Sequence, residues 1–158
     1  MTDNTLLEKQ VLPLFESTRL GGLANIFAVW LVYGLVIGSH HEENALYLGI
    51  VITILSLIRI LISDHYLRVR DPRLKRYLAS QLLLTFSIGV AWGLFALMQS
   101  AQEDAAIRNM VFLINFGMIA GSLATLSVWV PVYVAYITPQ AVCIFAVLAI
   151  QGTNLSLY

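Results

Sequence analysis

The chain has 158 residues, 59% hydrophobic and 11% charged, with a formal net charge of zero. Soluble domains carry about 25% charged residues, and a chain this short cannot absorb the deficit in a larger core, so most of its surface is expected to face lipid. The neutral total gives no indication of nucleic acid as a partner, and the single cysteine, Cys143, excludes an intrachain disulfide and reads as a small packing residue.

The first twenty residues contain Asp3, Glu8, Lys9, Glu16 and Arg19 and no unbroken apolar run, which rules out a signal peptide. Residues 1–22 read instead as an amphipathic cytoplasmic or interfacial helix, with Leu7, Val11, Leu14 and Phe15 on one side. Pro13 is expected to kink it and Gly21-Gly22 to end it. It either lies in the interfacial plane or packs against the bundle.

Residues 23–151 read as a transmembrane bundle with spans at about 23–39, 45–63, 78–98, 107–129 and 132–150. The fold class is therefore all-α, a polytopic membrane bundle of about five helices. A membrane barrel would alternate apolar and polar residues in segments of about ten, whereas these runs are continuous. Residues 152–158 form a short polar tail, and the chain is expected to stop before a sixth span.

Basic residues set the orientation. Arg68, Arg70, Arg73, Lys75 and Arg76 fall between the second and third spans, and Lys9 and Arg19 precede the first. The turns at 39–44 and 99–106 contain no Lys or Arg. Short basic loops stay cytoplasmic, so the N-terminus is expected inside and the tail outside.

Candidate functional residues are few. Arg59 lies within the second span and either snorkels to the inner headgroups or pairs with a polar group such as Gln81 or Thr85. Asn25 and Asn115 read as interhelical hydrogen-bonding groups or ligand contacts. Pro139 supplies a place to bend the fifth span. Arg108 opens the fourth span beside Glu103 and Asp104. Gly34 and Gly38, Gly89 and Gly93, and Gly117 and Gly121 are each spaced for close helix approach, within the chain or between two copies. Trp129, Tyr133, Tyr136 and Tyr47 read as interfacial aromatics.

His40 and His41, followed by Glu42 and Glu43, are metal-ligand types, but adjacent residues rarely converge on one ion. The turn reads as a solvated cap, with pH or metal sensing as the weaker alternative, so no metal and no cofactor is assigned. No nucleophile triad, phosphate loop or paired intramembrane histidines occur, and the chain is not expected to be an enzyme.

Several short elements together resemble the N-terminal membrane region of bacterial signalling proteins that carry a diguanylate cyclase or histidine kinase output domain. They are Phe15–Asn25, Leu57-Ile58-Arg59 before a basic loop, Gly89–Leu94 around Trp92, Gly117–Gly121, and Pro131 with Tyr136–Pro139. The resemblance implies a sensory, signal-input role, commonly as a homodimer, with six spans ahead of the output domain. The stimulus would then be read within the bilayer or at its outer face, with membrane lipids as partners: a lipophilic small molecule, a membrane property, or protonation. A small transporter or channel subunit is the alternative.

Overall fold

The computed structural model describes residues 3–38, 42–69, 73–99 and 105–155. They form five α-helices: α1 (Asp3–Val36), α2 (Glu42–Val69), α3 (Leu74–Gln99), α4 (Ala105–Leu126) and α5 (Val130–Leu155). Each is long and apolar enough to cross a membrane, and the described residues contain no strand. At 1.5 Å rise per residue the 28 residues of α2 reach about 42 Å, beyond a hydrocarbon core of about 30 Å. The excess length carries Asp64, His65 and Arg68, whose charge belongs with headgroups and water.

One pattern governs α1, α2 and α3. Buried positions recur at alternating steps of four and three residues: Val11, Phe15, Thr18, Gly22, Asn25, Val29, Val32 and Val36 on α1, and Ala45, Gly49, Ile52, Ser56, Arg59, Ser63 and Tyr66 on α2. On α3 the series runs through Leu78, Gln81, Thr85, Ile88 and Trp92. A seven-residue repeat keeps one seam of a helix against its neighbours. The seam on α2 carries the polar Ser56, Arg59 and Ser63, while Ile50, Ile54, Leu57 and Leu61 face outward. Lipid rewards an apolar exterior, and Asn25, Arg59, Gln81, Asn115 and Gln140 are all buried.

The helices close into a ring. α1 packs between α2 and α4, α3 packs between α2 and α5, and α4 returns to α5 and α1. The α3–α5 pair is the most intimate, and glycine makes it so. A Cβ on Gly89 would collide with the backbone carbonyl of Tyr136 and reach the Pro139 ring at 3.0 Å. A Cβ on Gly93 would lie 2.9 Å from both Cys143 Sγ and the Pro139 carbonyl. The backbones touch where these side chains are missing.

α1 runs unbroken through both expected interruptions, Pro13 and Gly21-Gly22. Gly22 is a contact, not a break: a Cβ there would strike the Ile60 side chain at 2.6 Å. Val11, Leu14 and Phe15 are buried in the bundle, so this part of the chain packs against it instead of lying along the interface. The Phe15 ring stacks on Tyr66 at 4.3 Å between centroids, and Tyr66 meets Tyr77 at 5.0 Å. These rings join α1, α2 and α3 beside the basic segment. α4 stops three residues before the expected end of the fourth span, because Ser127–Trp129 form the turn into α5. Pro131 then sits in the first turn of α5, where its missing N–H costs nothing, and the helix continues through Pro139 to include residues 152–155 of the expected tail.

The remaining glycine pairs behave differently. Gly34, Gly117 and Gly121 would meet no atom within 4 Å, and Gly38 occupies the turn after α1 with φ of 82°. They make no close helix contact within the chain. Gly89→Val is therefore expected to lower unfolding stability by about 1–3 kcal/mol through overpacking, while Gly117→Val stays within about 0.5 kcal/mol. Thermal unfolding of the two purified variants in detergent, followed by circular dichroism, measures the contrast.

Candidate functional site

The interior is organised around two polar nodes. The first is Arg59 on α2, which is 1% exposed. Its Nε donates to Gln81 Oε1 on α3 at 2.9 Å. The Gln81 amide nitrogen donates back to Ser63 Oγ at 2.8 Å and to the Arg59 carbonyl at 3.3 Å. The side chain thus turns into the protein, and the headgroup-seeking alternative does not hold. Gln81 succeeds as a partner because it accepts and donates at once, one α2 turn spanning Arg59 and Ser63. Arg59 Nη2, by contrast, has no hydrogen-bond partner.

The second node is Asn25 on α1. Trp92 Nε1 on α3 donates to its Oδ1 at 2.8 Å, and the Tyr136 hydroxyl on α5 donates to the same oxygen at 3.3 Å. The Asn25 amide nitrogen is tied to the Gly21 carbonyl at 2.9 Å, one turn back. One side chain therefore links three helices. Tyr136, whose sequence position suggested an interfacial aromatic, is 1% exposed and belongs to this node.

A cavity of about 270 Å³ lies where the nodes meet. Arg59, Asn25 and Tyr136 form its polar end. Its remaining walls are apolar or small and come from α1 (Leu20, Gly21, Ala24) and α4 (Met118, Gly121, Ala124). Leu20, Ala24, Gly121 and Ala124 face outward, so the cavity opens sideways between α1 and α4 toward the lipid. Below the opening, Ser17 Oγ donates to the Thr125 carbonyl at 2.9 Å and pins α1 to the end of α4. Gly121 leaves the mouth open because it has no side chain to fill it.

Several other buried polar atoms lack partners: Ser56 Oγ, Thr85 Oγ1, Asn115 Oδ1 and Gln140 Oε1. Asn115 and Gln140 each spend their amide nitrogen on their own helix, at the Val111 and Tyr136 carbonyls. Neither lines the cavity, so Asn115 is not brought together with Asn25 and Arg59. Pro139 also lies apart, clamped against Gly89 and Gly93. His40 and His41 fall outside the described residues, as do Glu103 and Asp104 beside Arg108. Glu42 is described: its Oε2 accepts from the Gly38 backbone N–H at 2.8 Å.

No protein-family model, curated protein or solved structure matches the chain. The site is therefore read from its own chemistry.

Gln81 is the keystone of the first node. Gln81→Leu leaves the buried Arg59 Nε and Ser63 hydroxyl without their partner, and is expected to cost about 1.5–3 kcal/mol. Adding Arg59→Met to the same chain removes the stranded charge and is expected to recover most of that loss. A double-mutant cycle from unfolding in detergent measures the coupling.

Proposed function

We propose that this chain is a transmembrane sensory, signal-input domain of a bacterial signalling protein, whose cavity at Arg59, Asn25 and Tyr136 receives a lipophilic stimulus. On this reading the output domain is a diguanylate cyclase or a histidine kinase, as the sequence resemblance implies. The N-terminus and the basic segment around Arg73 face the cytoplasm of an inner membrane. The observation that carries the reading is the cavity itself. It is lined mostly by apolar or small residues, gathers Arg59, Asn25 and Tyr136, and opens between the exposed faces of α1 and α4. Sites that select small molecules combine an apolar lining with a few placed polar groups.

Transmission follows from the same geometry. A ligand shifts a two-state bundle only by its differential affinity for the two states. Asn25 joins α1 to α3 and α5, and Ser17 joins α1 to α4. An occupant spreading α1 from α4 is thereby coupled to the helices on the far side. Pro139 and the glycines beneath it fix α5 on α3, so we assign movement to α4 against α1, not to a bend at Pro139.

The polar interior gives one argument for the transporter alternative, because transport needs polar groups at depth. Against it, transporter sites are typically built from discontinuous helices, and all five helices here continue across their spans. Spin labels at Arg19 and Leu123, with Cys143 replaced by alanine, test the choice in liposomes. Palmitate or its methyl ester is expected to move the interlabel distance by about 1–2 Å, without solute flux above protein-free vesicles. An unchanged distance accompanied by flux overturns the sensory reading.

A further inference from the structure

We propose that the cavity binds a single-chain amphiphile with a carboxylate head, the head on Arg59 Nη2 and the chain leaving between α1 and α4. The inference rests on the sensory reading of this cavity and goes beyond it by naming the ligand class.

Charge decides the head. Arginine remains protonated in proteins. Arg59 is 1% exposed, and the partner of its Nε, Gln81, is neutral. The acidic residues of the chain stand at positions 3, 8, 16, 42, 43, 64, 71, 103 and 104, so α2 carries none between Glu43 and Asp64, and α3, α4 and α5 carry none at all. A buried charge without a counterion costs several kcal/mol. A neutral carbonyl ligand would satisfy the Nη2 hydrogen but leave the charge standing, whereas an anion satisfies both. Asn25 and Tyr136 stand at the same end of the cavity. The Tyr136 hydroxyl, held only at 3.3 Å from Asn25, is the second donor for the head.

Shape decides the chain. A volume of about 270 Å³ falls just below the range of ligand sites, about 300–1,000 Å³. It takes a compact head and the first part of one chain, not the glycerol and paired chains of a phospholipid. The rest of the chain passes Gly121 and Ala124, where the wall is low, into the surrounding lipid. A phosphate monoester on one chain shares the anionic chemistry; the carboxylate is favoured because Nε is already committed to Gln81, leaving one edge of the guanidinium for a small head.

The test is equilibrium binding to the full chain in phosphatidylcholine nanodiscs, with radiolabelled palmitate, methyl palmitate and hexadecyl phosphate as probes. Saturable palmitate binding is expected, with the ester weaker on the order of tenfold and Arg59→Gln erasing that preference. Gly121→Leu places a side chain in open space at the mouth, so it keeps the fold and is expected to weaken palmitate on the order of tenfold. Ester binding as tight as the acid overturns the anionic head, and tighter binding of hexadecyl phosphate overturns the carboxylate. Palmitate binding untouched by Gly121→Leu overturns the placement. Absence of saturable binding for every probe overturns both the ligand class and this cavity as a sensor. Palmitate binding with a fixed α1–α4 label distance leaves the ligand standing and overturns the sensory reading alone.

Discussion

A guanidinium held inside a membrane bundle has to be satisfied by the protein, because lipid offers it neither hydrogen bonds nor counterions. Arg59 imposes that requirement here. Gln81 meets part of it and is itself held by Ser63 and by the α2 backbone. The arrangement fixes the register of α3 against α2, since a slip by one turn would strand both side chains. From α3 the constraint passes to α1 through Trp92 and Asn25, and to α5 through the contact at Gly89 and Gly93. The part left unmet, Nη2, belongs to a residue that lines the cavity.

Two kinds of glycine follow from this scheme. Gly22, Gly89 and Gly93 let helices approach until backbone meets side chain or backbone. In lipid, where burial of apolar surface gives no driving force between helices, such close packing and interhelical hydrogen bonds hold a bundle together. Gly117 and Gly121 bring nothing together; Gly121 leaves a gap in the wall between α1 and α4. Rigidity thus sits on the α3–α5 side, and access sits on the α1–α4 side. A domain that must respond to an occupant needs both.

The number and type of helices were legible because long apolar runs separated by charge admit no other solution in lipid. Helix ends were less so: polar residues such as Asp64 and His65 stay helical in the headgroup layer, and Gly21-Gly22 reads as a break only when its neighbour Ile60 is out of view. Asn25 and Arg59 stood out as polar residues in greasy surroundings. Tyr136 did not, because a tyrosine near a helix end is the ordinary signature of an interface. Its signal lay in the helical spacing of Val132, Tyr136, Gln140, Ile144 and Val147, three steps of four and one of three, which marks the inward seam of α5. That spacing also carried Gln140 and Trp92. The convergence of α1, α2 and α5 on one cavity depends on which helices are neighbours, and sequence periodicity within single helices does not contain that information.

The account depends on the polar seam of α2 facing protein and its apolar face meeting lipid. Site-directed spin labelling from Ile50 to Ser63 in liposomes, with oxygen accessibility as the readout, measures this directly. The account predicts maxima at Ile50, Ile54, Leu57 and Leu61 and minima at Ile52, Ser56 and Ser63, with a helical period throughout. Accessibility that is uniform along α2, or highest at Ser56 and Ser63, would contradict it.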